Sequence, residues 1–167
     1  IFIDAEDAIH LYWGAKVGSH RSALAHALVE QDDAGFRLSR LFEPVVMPDG
    51  DEFTQLELPK VLHDGNQDRY YLVASTCNRL YENQKDDEVD KRIRLYTSSS
   101  LNGPWSPIDE SGSTILRDSK CMFGPTVLDA DFENGELRFV APYTDAADDE
   151  LKLTLSKPFA VSLPRVP

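Results

Sequence analysis

Short runs in which apolar and polar residues alternate, separated by clusters of Gly, Asn, Asp and Pro, dominate this chain, as expected of half-buried β-strands joined by tight turns. The period of two is cleanest at Leu151, Leu153 and Leu155. Aromatic and aliphatic segments such as His10-Leu11-Tyr12-Trp13 and Arg69-Tyr70-Tyr71-Leu72-Val73 read the same way. No stretch keeps apolar residues at i, i+3, i+4 and i+7 long enough to require a helix. The alanine-rich segment Ser22 to Gln31 comes nearest, and is assigned as a strand because it falls opposite Arg92 to Thr97 when the chain is aligned with itself.

That self-alignment gives a weak repeat of roughly 60 to 70 residues, a length typical of blades or stacked modules. Its first strand reads Pro59-Lys60-Val61-Leu62 and returns as Pro125-Thr126-Val127-Leu128, with Ile1-Phe2-Ile3 as the end of an earlier copy. A polar turn follows each, at Asp4 to Asp7, Asp64-Gly65-Asn66 and Asn134-Gly135, where Gly and Asn accept positive φ. Second strands come next, at His10 to Trp13, Arg69 to Val73 and Glu136 to Val140. The third strands are Ala23 to Leu28, Arg92 to Thr97 and Leu151 to Leu155. Gly35-Phe36 and Gly103-Pro104-Trp105 announce outer strands. Four short strands per unit predict an all-β fold of about three β-propeller blades, each a four-stranded antiparallel sheet.

Charge narrows the partners. With 29 acidic against 17 basic residues the net charge is −12, which repels phosphate backbones and anionic lipid head groups, so neither nucleic acid nor a membrane surface is expected as a partner. No apolar stretch approaches the ~20 residues of a membrane-spanning helix. The acid-rich segment Glu82 to Asp90 reads as an exposed loop. Asp86, Asp87 and Asp90 lack the spacing and glycine of an EF-hand, and Asp145, Asp148 and Asp149 read likewise as solvated. Cys77 and Cys121 have no metal-ligand spacing, so no structural zinc is expected, and no cofactor is implied. A disulfide and two buried free thiols both remain open. His10, His20, His26 and His63 share no ligand spacing, and no chemistry is assigned to them. Tyr12, Trp13 and Trp105 are read as core.

The candidate chemistry lies in Gln55-Leu56-Glu57-Leu58-Pro59. A first strand of a propeller lines the central channel, so Glu57 at its start would project where groups from several blades converge. A carboxylic acid there can protonate a leaving glycosidic oxygen. Retaining glycoside cleavage needs a second carboxylate about 5 Å away, and the sequence offers no convincing one.

These residues resemble the levansucrase and inulosucrase family of glycoside hydrolases, five-bladed β-propellers that include fructosyltransferases and β-fructofuranosidases acting on sucrose. Gln55 to Pro59, followed by Asp64-Gly65 and Tyr70-Tyr71-Leu72, is similar to the family's acid/base segment. The stretch Leu95 to Pro107 is similar to its strand, Ser-rich turn and Gly-Pro-aromatic, and Ser111-Gly112-Ser113 to Leu116 resembles its Gly-Ser-Gly-Leu-Val-Leu run. The resemblance implies Glu57 as general acid/base in a retaining double displacement, with Gln55, Asn78, Arg79 and Phe123 as substrate-binding residues, no metal, and sucrose or a fructan as substrate. Leu58 stands where the family carries Arg, Thr76-Cys77-Asn78-Arg79 where it carries Ser-His and a basic residue, and Phe123-Gly124-Pro125 where it carries Tyr-Ser-His or Tyr-Ser-Pro.

Ile1-Phe2-Ile3-Asp4 resembles the residues just after the family's Arg-Asp-Pro motif, which places both catalytic aspartates upstream. Residues 1–167 are therefore expected to be the C-terminal part of one propeller domain. The upstream blades would be missing or carried by a companion chain, the chain alone would be inactive, and its location would be extracellular or periplasmic. Two other readings stand beside this one: a related propeller glycosidase acting on arabinose- or xylose-containing glycans, and a non-catalytic carbohydrate-binding propeller.

Overall fold

The computed structural model describes residues 1–48, 53–85, 88–108, 116, 119, 121–145 and 152–164. Asp86 and Asp87, Ser111 to Ser113, Asp148, Asp149 and Leu151 lie outside them. The described residues form antiparallel sheets arranged as consecutive β-propeller blades.

The first blade runs β1 (Phe2–Ile3), β2 (Ile9–Gly18), β3 (Arg21–Asp32) and β4 (Gly35–Leu41), and the second β5 (Gln55–Asp64), β6 (Arg69–Cys77), β7 (Lys91–Ser98) and β8 (Ser106–Pro107). Each blade orders its strands in sequence. The alanine-rich segment is strand β3, as its place in the repeat predicts.

The third blade differs from expectation. β9 (Thr126–Asp131) pairs with β10 (Glu136–Val140), but the other partner of β10 is β13 (Phe159–Ser162), while β12 (Lys152–Leu155) pairs with β11 (Pro142–Asp145). Phe139 faces Phe159 and Pro142 faces Leu155, so three steps on one side oppose four on the other. One long hairpin is thus broken near Ala141 by a one-residue irregularity, which divides each strand in two. The clean alternation at Leu153 and Leu155 marks only the outer half of the third strand.

An aspartate closes each first strand and caps the turn behind it. Asp4 Oδ1 accepts from the amides of Glu6 and Ala8, Asp64 Oδ1 from that of Asn66, and Asp131 Oδ1 from that of Asn134. These short acceptors satisfy turn amides that no strand partner reaches.

Burial follows the period of two. On β6, Tyr71 and Val73 join Ile93, Leu137 and Phe139 in one core between the second and third blades. Leu72 and Ala74, on the opposite face, join Leu24, Phe53 and Leu56 between the first and second. A strand covered on both faces is apolar almost throughout, and all of β6 from Tyr71 to Cys77 is buried.

Candidate functional site

The start of β5 is built by contacts from the first blade. Ser22, early in β3, donates through Oγ to the carbonyl of Leu56 at 3.1 Å and accepts from the Leu56 amide at 3.0 Å, while its own amide donates to the carbonyl of Thr54. Gly14 of β2 lies so close that an added Cβ would come 2.7 Å from the Leu56 carbonyl oxygen and 3.6 Å from Glu57 Cα. Glycine is required there by backbone approach. Two residues of the β2–β3 hairpin, Gly14 and Ser22, therefore fix where Glu57 begins.

Immediately after Glu57 the strand bulges. Glu57 pairs with Ser75 and Lys60 with Val73, leaving Leu58 and Pro59 across from Ala74 alone. Leu58 takes φ 52°, an unfavourable conformation for a leucine. Such a bulge re-aims the side chains beside it.

Glu57, Gln55 and Leu58 line one side of a cleft of about 520 Å³ between the first and second blades. The rest of the lining comes from the β2–β3 hairpin and includes Lys16, His20, Arg21 and Ser22. Glu57 is half-buried, and among the described residues its carboxylate has no hydrogen-bond or ion-pair partner. It is also the only carboxylate among the described residues lining the cleft.

The other expected site residues fall in different places. Gln55 lines the cleft and accepts from Cys77 Sγ at 3.0 Å. Burial, followed by the nearby Glu57 charge, pushes the Cys77 thiol up to about 11. Asn78 and Arg79 follow Cys77 at the end of β6 and are tied into the loop beyond it. The Asn78 amide donates to the Asp90 carbonyl, the Arg79 amide to Thr54 Oγ1, and Arg79 Nη1 to the Gln84 carbonyl. Phe123 stands before Gly124 at the entry to the third blade, its amide on the Pro142 carbonyl. Thus Glu57 and Gln55 share the cleft, while Asn78, Arg79 and Phe123 are not among its lining residues. Cys77 and Cys121 are both free thiols.

Sequence reasoning missed the hairpin wall: Gly14, Lys16, His20, Arg21 and Ser22. One signal was present, a glycine inside a strand between Trp13 and Ala15, a common mark of close backbone approach.

A second polar cluster lies inside the first blade. His10 Nε2 meets Asp4 Oδ2 at 3.0 Å, and His10 Nδ1 meets His26 Nε2 at 2.8 Å. An ionised Asp4 accepts from His10 Nε2–H, and His10 Nδ1 and His26 Nε2 share a hydrogen bond whose direction depends on the tautomers of the two rings. His26 is stacked against Tyr12 and Phe42 at centroid distances of 4.3 and 4.6 Å. Burial first, and the neighbouring His10 second, lower the His26 pKa to about 4, with Asn102 acting weakly in the other direction.

No protein-family model matches the chain, and no curated protein matches it by sequence. Solved structures do. The exo-1,5-α-L-arabinanase from a bovine ruminal metagenomic library superposes with a TM-score of 0.56 at 14% identity, covering 92% of this chain and 50% of that one. A B. megaterium levansucrase variant gives 0.56 at 14% identity, with 84% and 32% covered. A variant of the Cellvibrio cellulosa α-L-arabinanase gives 0.55 at 21% identity, with 92% and 50% covered. The chain thus spans half the length of these arabinanases and about a third of that levansucrase. At such identities the likeness is one of fold, a β-propeller shared with levansucrases and arabinanases.

Proposed function

We propose that the cleft between the first two blades belongs to the active site of a propeller glycoside hydrolase, with Glu57 as general acid/base. The observation that carries this reading is Glu57 itself: a carboxylate with no partner among the described residues, beside a strained bulge, in a cleft of about 520 Å³. That volume lies within the range of about 300–1,000 Å³ usual for small-molecule sites. An acid that no protein group holds is available to a glycosidic oxygen, and the bulge beside it is a common device next to active sites.

The chemistry assigned to Glu57 is protonation of the leaving oxygen, then removal of a proton from the incoming water or sugar hydroxyl. The nucleophile of a retaining double displacement must come from elsewhere, because Glu57 is the only carboxylate among the described cleft residues. Residues 1–167 are accordingly read as the C-terminal part of a propeller domain, completed by further blades in the same or a companion chain.

For the substrate, the resemblance of Gln55 to Pro59 to the levansucrase acid/base segment, together with the fold likeness to a levansucrase, favours fructosyl transfer or hydrolysis on sucrose. A second reading, cleavage of arabinose-containing glycans, is favoured by the larger share of this chain, 92% against 84%, that the arabinanases cover.

The deciding experiment is Glu57→Gln in the complete enzyme, assayed on sucrose and on arabinan. A fall of about 10²- to 10⁴-fold in turnover is expected of a lost general acid/base. Wild-type rates in that variant would sink the assignment. Sugar binding without turnover by the intact wild-type protein would favour a carbohydrate-binding propeller instead.

A further inference from the structure

The hairpin wall of the cleft is cationic in a strongly acidic protein. Lys16 and Arg21 line the cleft together with a single carboxylate, Glu57, whereas the whole chain carries −12. Among the described residues, neither Lys16 nor Arg21 has an ion-pair or hydrogen-bond partner. Three arginines elsewhere are neutralised, Arg37 by Glu30, Arg92 by Asp90 and Arg138 by Glu136, and Arg40 lies over the Phe42 ring. Two unpaired cations kept on one concave surface, with 29 acidic residues in the chain, point to an anion supplied from outside.

The backbone places them there. Gly14, Lys16 and Gly18 alternate on β2, so Lys16 shares its face of the strand with the glycine that touches β5. Lys16 is the cross-strand partner of Ser22, whose hydroxyl clamps Leu56, and Arg21 is the partner of Gly18 across the bulge at Val17. The cations are therefore mounted on the same hairpin end that is bolted to the start of β5.

We propose that the saccharide bound in this cleft carries an anionic group, a carboxylate or a phosphate, held by Arg21 and Lys16 while Glu57 faces the glycosidic oxygen. This rests on the saccharide reading of the cleft given above. The planar guanidinium of Arg21 can receive two oxygens of either anion side by side, and the ammonium of Lys16 adds a point charge. Burying neither cation avoids a desolvation cost in the empty cleft, and the ligand itself would exclude water when it binds.

Binding to the full chain, followed by calorimetry or by NMR shifts, tests this with two matched pairs of probes: fructose against fructose 6-phosphate, and glucose against glucuronate. Inorganic phosphate serves as the free-anion control. In at least one pair the anionic member is expected to bind about tenfold more tightly, a difference of about 1.4 kcal/mol. The pair that responds identifies the anion as phosphate or carboxylate. The advantage should shrink severalfold in Arg21→Gln and in Lys16→Gln, both exposed positions where folding is not at stake. Equal binding within both pairs overturns the proposal and leaves the saccharide reading standing. Binding of inorganic phosphate alone, or of no probe, overturns both. A preference that survives unchanged in both variants overturns the assignment to Arg21 and Lys16.

Discussion

Leu58 and Gly124 hold the same position in consecutive blades, each directly before a proline and each left-handed, with φ 52° and 69°, and they touch: a Cβ on Gly124 would lie 3.2 Å from Leu58 Cδ1. One blade meets the conformation with the residue that suits it and the other with a leucine, at a cost of about 1–2 kcal/mol. The strained copy is the one that follows Glu57.

Relieving that strain should be measurable. Leu58→Gly is expected to hold or raise the thermal midpoint, because Leu58 is half exposed and loses little burial. Leu58→Val, β-branched at positive φ, should lower stability by about 1–2 kcal/mol. Equal losses in both variants would show that the side chain's contacts, and not the backbone, set the stability here.

Ser22 joins the first blade to the start of β5 through both the amide and the carbonyl of Leu56. Its removal leaves both without that partner, so Ser22→Ala should cost about 1–3 kcal/mol in denaturant unfolding. Gly14→Ala, which would drive a methyl to 2.7 Å from the Leu56 carbonyl, should cost a similar amount by overpacking. Both should also weaken sugar binding in the cleft, since Glu57 is the next residue along. Unaltered binding in both would separate the clamp from the site.

The pH dependence of stability follows from His26. Its folded pKa, about 4, lies below the ordinary 6.5, so between those values the unfolded chain binds the proton and the folded one does not. Stability must then fall as pH drops from about 6.5 towards 4. Asp4, held below its usual range chiefly by the His10 hydrogen bond, adds a further loss as pH falls through its folded pKa. His26→Phe should flatten the curve in the upper window while leaving the acid limb. A wild-type curve flat from pH 7 to 4 would contradict a buried, neutral His26.

Cys77, with its thiol pushed up to about 11 and its Sγ on Gln55, is expected to resist alkylation at neutral pH in the native protein and to react on unfolding. Mass spectrometry after iodoacetamide treatment checks this. Cys77→Ser should keep the contact to Gln55, whereas Cys77→Ala should release that side chain into the cleft and alter sugar binding. Rapid native labelling of Cys77 would show it to be open to solvent.

Part of the candidate site was readable from the sequence because it lies in one short segment. Gln55, Glu57 and Pro59 are neighbours on a strand, and the second-strand tyrosines that follow are in a fixed register with it. Lys16 and Arg21 carry no such mark. A lysine and an arginine flanking Val17 and Ser19 look like any solvated hairpin tip until the fold of the second blade brings Glu57 into the cleft they line. The Asp4–His10–His26 chain was hidden for a similar reason. Tyr12 faces His26 and His10 faces Leu28, so the two imidazoles meet as diagonal neighbours, a relation with no signature in spacing.

The sequence by itself determined the strands, their order within the first two blades and the polar turns after each first strand, because alternation and turn chemistry act over a few residues. Only the tertiary structure decided which strand completes the third blade. The second strand runs on past Val140 to Asp145 before the chain turns, so the Leu153–Leu155 run pairs with Pro142–Asp145 and Phe159–Ser162 becomes the partner of Glu136–Val140, with a one-residue irregularity near Ala141 between the two stretches. The tertiary structure likewise decided that the acid of one blade shares a cleft with the cations of another. Contacts between blades are set by how whole sheets stack, through cores such as Leu24 on Leu56 and Tyr71 on Phe132, and these join residues far apart in the chain.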